Sequence, residues 1–467
     1  MKYDATYPVE ETFQLFKIPW EWYNPKHTYD VVIARKEEVG TIDAYLVNLS
    51  EKDYFAEIAQ TLNEGLSHCH EPVVDILIDE LRQILKEHTI LVEIPPVPWE
   101  YSYIVALTHD VDITSVRERR WVSVGYAAYQ CLRKGQVKDA FQIFGAKCGI
   151  TKDPWNCFDE WMRLEEELDV RSTWYFLPEK GEAGQNAPTY RAGYYDLNPE
   201  LIRTLTDGGW EAGVHGLDNW CDITLAKKER KLMSDITGTD VGTRVHWLLF
   251  DKDSWKTLDE AGYTYDSTFG YNDDVGFQAG TMQAFRPAGT HSLYELPLHI
   301  QDMALFGTFC WLPNGADWEQ APCLNLSEEQ AMERCTEIFQ YAQKYGGAIT
   351  ILWHQVSIAA PKRWGKFYRV LIKMALCENA WVTHASQVCE WYRMRRNIHI
   401  YIKRNDQLGV TIEIVGNETN TSLPGLRLRV FTDSKKVKNP ECEYSQSSEY
   451  LDIFCRKQIM EILFDDT

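Results

Sequence analysis

The chain has 467 residues, more than one ordinary domain needs, so two or three units with a sizeable buried core are expected. Hydrophobic residues at 45% and charged residues at 25% match a globular protein and exclude a largely disordered one. The formal net charge of −21 repels phosphate backbones and anionic membranes at long range, so no nucleic-acid partner is expected and the acidity reads as ordinary solubility.

Met1–Glu10 lacks a basic stretch followed by an apolar run, and no apolar segment of about 18 residues occurs anywhere. The expectation is a cytoplasmic protein without an export signal or membrane span. The 12 cysteines include no CxxC pair, which argues against a zinc ribbon or a disulfide framework and for free thiols.

Residues 1–100 mix short apolar runs, such as Tyr29–Ala34, with a helical stretch over Pro72–Glu87. There Val74, Ile76, Leu77, Leu81 and Leu85 recur at helical spacing. This region is expected to be an accessory α/β unit, closed by the proline-rich break Ile94–Pro98.

From residue 101 to 396, apolar or β-branched runs alternate with capped helices, the pattern of repeated βα units. Strands are expected at Tyr103–Thr108, Arg171–Leu177, Trp210–Val214, Arg244–Leu249, Tyr263–Ser267, Leu293–Leu298, Ala348–Trp353 and Trp381–Thr383. Helices are expected after Asp153-Pro154, after the Asn198 cap with Pro199 in the first turn, from Ser254 to Gly262, and from the Ser327/Gln330 capping box to Gly346-Gly347. The fold class is α/β, a distorted (β/α) barrel of about seven strands.

Over residues 397–467 the apolar period changes to two. Ile398, Ile400 and Ile402 alternate, as do Val410, Ile412 and Ile414, then Leu426, Leu428 and Val430. With turn signals at Gly416-Asn417 and Pro424-Gly425, a small antiparallel β appendage is expected.

In a parallel α/β barrel, polar residues just past the strands meet on one face. Those positions carry Thr108-His109-Asp110-Val111-Asp112, His215-Gly216-Leu217-Asp218-Asn219, Arg244-Val245-His246-Trp247 and Trp353-His354-Gln355. A hydrolytic divalent metal wants about three carboxylate or imidazole ligands and one open position. Of Asp110 and Asp112, one could bind metal while the other acts as base, and His215 adds an imidazole. A lone Asp-x-Asp is more often a turn, and a lone strand-end histidine more often a packed one, so the weight rests on their joint placement.

Together these strings, with Tyr265–Asn272, Glu295–His299 and Leu352-Trp353-His354, resemble the polysaccharide deacetylases, carbohydrate esterase family four, and within it a cytoplasmic branch with a Thr-His-Asp-Val-Asp first motif. The resemblance covers about residues 101–396. It implies Asp110 as the general base, Asp112 as a metal ligand, and His215 as the first histidine of a His-x-x-x-His ligand pair. Arg244 would be the partner of the catalytic aspartate and His354 the acid that protonates the leaving group. Trp353 would form an apolar wall against the sugar or acetyl methyl. The second histidine of the pair is absent, with Asn219 in its place. Asp218 is the expected third ligand, ahead of Asn219 and His246. The implied cofactor is a divalent metal, Zn2+ first, then Co2+, Ni2+ or Mn2+. The implied reaction is removal of an N-acetyl group from a sugar or polysaccharide precursor in bacterial surface-polysaccharide metabolism.

His246, Trp247, Trp353 and Tyr271 are candidate substrate contacts, although tryptophans are mostly packing residues and the chain has 17 of them. His299 reads equally as a packed histidine. Ser67-His68-Cys69-His70 resembles a metal cluster, but alternate residues on a helix end would not converge. Two other readings compete: a barrel that binds or scaffolds carbohydrate without chemistry, and a glycoside hydrolase using Asp110 with Asp266 or Asp218.

Overall fold

The run Ile104–Val111 is buried at all eight positions and forms the first strand, β1, of a nine-stranded parallel sheet. In chain order the others are β2 (Thr173–Phe176), β3 (Glu211–Gly216), β4 (Thr243–Val245), β5 (Tyr265–Asp266), β6 (Tyr294–Glu295), β7 (Ile300–Gln301), β8 (Ala348–Leu352) and β9 (Trp381–His384). The order across the sheet is β7-β8-β1-β2-β3-β4-β5-β6, with β9 also paired to β1. The computed structural model describes residues 6–39, 42–180, 195–307, 323–406, 409–416, 422–431, 443–455 and 459–463.

The sheet curls into the expected distorted barrel. Its end strands β6 and β7 are joined by Leu296–His299, which bridges the gap with backbone bonds from Leu296 N to Asp266 O (2.8 Å), Leu298 N to Phe269 O (3.1 Å) and His299 N to Thr350 O (3.2 Å). The sequence reading missed β7 because Pro297 interrupts the apolar run before it. It also ran β4 too far: Trp247 and Leu248 have φ of 64° and 48°, and this left-handed backbone ends the strand at Val245.

Strand alternation sorts each side chain to a layer. On β1, Val105 and Leu107 face the helices and join one large core, whereas Ile104 and Ala106 face the barrel interior with Tyr175, Tyr265 and Ala348. By the same period Thr108, Asp110 and Asp112 share the inner face, and His109 belongs to the helix layer. There His109 meets the Trp353 carbonyl at 2.7 Å and Glu165 Oε1 at 2.9 Å.

The outer helices follow their caps. Asn198 accepts from the Glu200 and Leu201 amides at the start of Pro199–Asp207, and the Ser327/Gln330 box opens Glu328–Tyr345. The helix expected after Asp153-Pro154 begins only at Phe158, because Asp153 instead accepts from Ser115 Oγ and the Val116 and Trp155 amides.

The N-terminal region contributes helices Thr6–Leu15, Tyr54–Glu64 and Val73–Lys86 and a parallel strand pair, Val31–Ala34 with Tyr45–Asn48. The C-terminal residues form antiparallel sheets, and the strand Val92–Glu93 pairs into one of them against Arg427–Phe431. Ile94–Val97 is buried, and the buried Arg395 guanidinium donates to the carbonyls of Ile94, Pro95, Gln14 and Leu15, tying the N-terminal region to the last barrel helix, Ala385–Arg396. The described cysteines form no disulfide, and among the described residues no helix is long and apolar enough to cross a membrane.

Candidate metal centre and active site

Asp110 leaves β1 pointing into the mouth of the barrel, where Arg244 Nη1 reaches its Oδ1 at 3.1 Å. Arg244 is fully buried, and every nitrogen of its guanidinium is used. Nη1 also donates to Thr108 Oγ1 (2.6 Å), Nη2 to Ser267 Oγ (2.8 Å) and Nε to the Ser267 carbonyl (2.8 Å), while the Tyr175 ring lies 4.8 Å from its carbon. The arginine is thus held by three strands, and the Asp110 carboxylate has little freedom to turn.

Asp112, His215 and His246 bring one ligand atom each to within 4.8 Å of one another. Asp112 Oδ1 lies 3.2 Å from His215 Nε2 and 3.4 Å from His246 Nε2. His215 Nδ1 donates to the Arg244 carbonyl at 2.8 Å, so Nε2 presents its lone pair to the cluster, as a metal-ligating imidazole does. Asp112 Oδ1 is buried with no hydrogen bond of its own. A carboxylate and two imidazoles facing one another at a largely buried site fit a divalent cation of the zinc type. Burial favours the neutral acid of Asp112, but without a metal the protonated forms of His246, His215 and His354 outweigh it and hold the carboxyl well below the usual range.

Across the mouth, His354 Nδ1 meets Asp302 Oδ1 at 2.7 Å, and its Nε2 faces Asp112 Oδ2 at 3.7 Å. The same aspartate accepts from the His354 amide (3.0 Å) and from the Ser357 hydroxyl. Burial opposes charge on His354, but the Asp302 carboxylate, helped by Asp112, pushes its pKa up to about 9. The sequence reading missed Asp302. Its signal was the same as for the other site residues, a polar side chain just past a strand, but β7 itself had escaped notice.

Several expectations are corrected. Asp218 is buried but does not join the ligand cluster, where His246 stands instead. Strand β4 lies beside β3, with Arg244 opposite His215 in the register, so His246, the next inward-facing residue just past the end of β4, comes up beside His215 with ring centroids 4.8 Å apart. Asn219 turns into the core, donating to Thr243 Oγ1 (2.9 Å) and Tyr263 OH (3.3 Å), and occupies the space that a side chain at Gly216 would need.

Trp353 does not line the mouth: it is fully buried in the helix layer, its ring parallel to Phe367 at 5.8 Å. Tyr271 commits its hydroxyl to the N-terminal region, donating to the Leu66 carbonyl (2.7 Å) and accepting from the Cys69 amide (2.8 Å). Trp247 is half-buried beside His246, with ring centroids 6.0 Å apart, and stays at the rim.

His299 is a packed histidine, bonded to the Thr281 carbonyl and the Thr350 amide. Asp266 is fully buried, and burial pushes both it and its neighbour Glu295 above the usual carboxylate range. His68 and His70 lie in the loop after the helix Tyr54–Glu64 and not on the helix end itself. Both face Asp274 Oδ2, at 3.2 and 3.6 Å.

No family model matches the chain, and no curated protein matches it. Among solved structures, the chain is similar to a Mycobacterium smegmatis protein assigned as a polysaccharide deacetylase, with 20% identity and a TM-score of 0.42 over 67% of this chain and 99% of that one. PuuE allantoinase aligns at 13% identity and a TM-score of 0.40, over 64% of this chain and 93% of its own. A CE4 family pseudoenzyme from Bacillus anthracis aligns at 9% identity and a TM-score of 0.29, over 61% of this chain and 65% of its own. Polysaccharide deacetylases and CE4 family proteins therefore recur among the solved structures that this chain resembles.

Proposed function

We propose that the chain is a metal-dependent carbohydrate deacetylase of the polysaccharide deacetylase family, removing an acetyl group, N-linked by preference, from a sugar or polysaccharide precursor. The observation that carries this reading is the meeting of a paired carboxylate, Asp110, a cluster of three candidate ligands and the Asp302-bound imidazole of His354 at one mouth.

Asp112, His215 and His246 would hold the metal. When bound, a divalent cation there lowers the pKa of a water and polarises an acyl carbonyl. Asp110, oriented by Arg244, takes a proton from the water as its oxygen bonds to the acetyl carbon. His354, whose Nδ1 proton is engaged by Asp302, gives its Nε2 proton to the departing nitrogen as the carbon–nitrogen bond breaks, releasing acetate and the free amine. The half-buried Trp247 offers a ring face at the rim where a sugar would rest.

The test is to incubate purified protein and added Zn2+, Co2+, Ni2+ or Mn2+ with N-acetyl and O-acetyl sugars and to measure acetate. Turnover is expected with at least one substrate and metal. Silence across the panel, together with no bound metal by elemental analysis, would sink the reading and favour a barrel that only binds carbohydrate.

A further inference from the structure

Nine residues past Asp112 the chain enters a helical hairpin, Trp121–Arg133 and Val137–Lys147, that is apolar on two sides. The inner stripes, Val124, Ala127, Ala128 and Cys131 on the first helix and Ala140, Ile143 and Ala146 on the second, lie in the main core. The outer stripes are also apolar. Val122, Tyr129 and Leu132 are exposed on the first helix at helical spacing, and Val137, Phe141 and Phe144 on the second. Phe141 is 73% exposed, and Ile150, just beyond the hairpin, is 80% exposed. Single exposed hydrophobics need no explanation, but two adjacent outward stripes do.

The charge around these stripes reverses that of the chain. Residues 116–152 carry eight lysines and arginines against Glu118 and Asp139, a local balance of +6 in a protein whose total is −21. Arg120, Arg133, Lys134 and Lys138 are exposed, and Lys147 lies over the Trp121 ring at 5.5 Å. The face is anchored to the mouth on both sides: it grows from the segment after Asp112, and Lys134 donates to the Pro361 carbonyl in the loop that follows His354.

We propose that this hairpin docks the protein on an anionic lipid bilayer, with its outer aromatic and aliphatic side chains in the interface and its basic residues on the lipid phosphates, so that the barrel mouth opens beside the membrane surface. The occupant follows from the pairing of exposed large apolar groups with a local positive field, which suits an anionic interface and not another copy of an acidic chain. Outside residues 116–152 the chain carries −27, since the total of −21 includes the local +6, and that distant charge is screened beyond about 8 Å at physiological salt, whereas the hairpin contacts are direct. Such docking is a property separate from deacetylation and does not depend on it.

Flotation of the full chain with phosphatidylglycerol–phosphatidylcholine vesicles tests this without any turnover. Recruitment to the anionic vesicles is expected, with little to pure phosphatidylcholine and a steep loss as salt rises. F141S with I150S, and separately R133E with K138E, should each weaken recruitment about tenfold while leaving the circular dichroism melt unchanged, since all four side chains are exposed. Absence of recruitment, equal recruitment to neutral vesicles, or full recruitment of both variants would overturn the proposal. So would a lipid-free dimer that F141S dissolves, which would assign the face to a second copy.

Discussion

Buried Asp302 and half-buried His354 form a pair in which one carboxylate oxygen meets the imidazole Nδ1 at 2.7 Å and the other accepts from the His354 backbone amide at 3.0 Å. This double contact fixes both the position of the ring and which nitrogen faces the mouth, and it raises the imidazole pKa to about 9. A group so placed arrives charged at neutral pH and able to give up a proton.

The titration of His354 follows from that pair. In metal-free protein its imidazole signals should titrate near pH 9, and D302N should bring the midpoint down towards the ordinary histidine value. Because the folded value lies above the unfolded 6.5, the pair's contribution to stability is full below pH 6.5 and lost as pH rises through about 9. Urea unfolding at pH 6, 8 and 10 should show that loss in the parent and a smaller one in D302N. An unchanged midpoint would remove Asp302 from the role assigned to it.

Metal affinity separates the two candidate third ligands. H246A should weaken zinc binding at least about 100-fold, as should H215A, since even outer-shell partners cost 10–100-fold. D218A should leave the affinity within a few-fold of the parent. Calorimetric titration of metal-stripped protein distinguishes the outcomes, and the reverse ranking would restore Asp218 as a ligand.

Arg244 is expected to support stability as well as the proposed chemistry. R244M leaves Asp110 without its counter-charge and the Thr108 and Ser267 acceptors without their donor, a defect expected to cost about 3–5 kcal/mol in urea unfolding. D110N preserves the shape and the arginine contact, so it should fold normally, keep its metal and lose turnover by about 100- to 10,000-fold. Full activity in D110N would exclude Asp110 as the base.

A second pH dependence lies in the contact between the helix Val73–Lys86 and the segment Thr281–Gln283. Burial raises the Asp75 carboxyl to about 6, against the pull of donors from Met282, Gln283 and Thr281. The folded protein therefore binds the proton more tightly than the unfolded chain. Its contribution to stability is greatest below pH 3.8 and is lost as pH rises through about 6. D75N should flatten that part of the stability profile, which denaturant melts between pH 4 and 7 would show.

Capped helices, period-two strands and the parallel barrel were legible because each depends on neighbours along the chain. Asn198 caps the helix directly after it, and Ile398, Ile400 and Ile402 lie in the first C-terminal strand or at its edge. The inner face of Asp110 and Asp112 also follows from the two-residue period alone. Contacts made across the sheet were not legible. His246 completes the cluster because β4 lies beside β3 in register, Asn219 leaves it because Gly216 makes room for its amide, and Trp353 packs outward because it alternates with His354. Composition likewise reports only a total, and the acidic sum concealed a basic apolar hairpin at the mouth of the barrel. Local propensity needs only sequence neighbours, whereas a site made by several strands depends on distances that exist only once the sheet has curled.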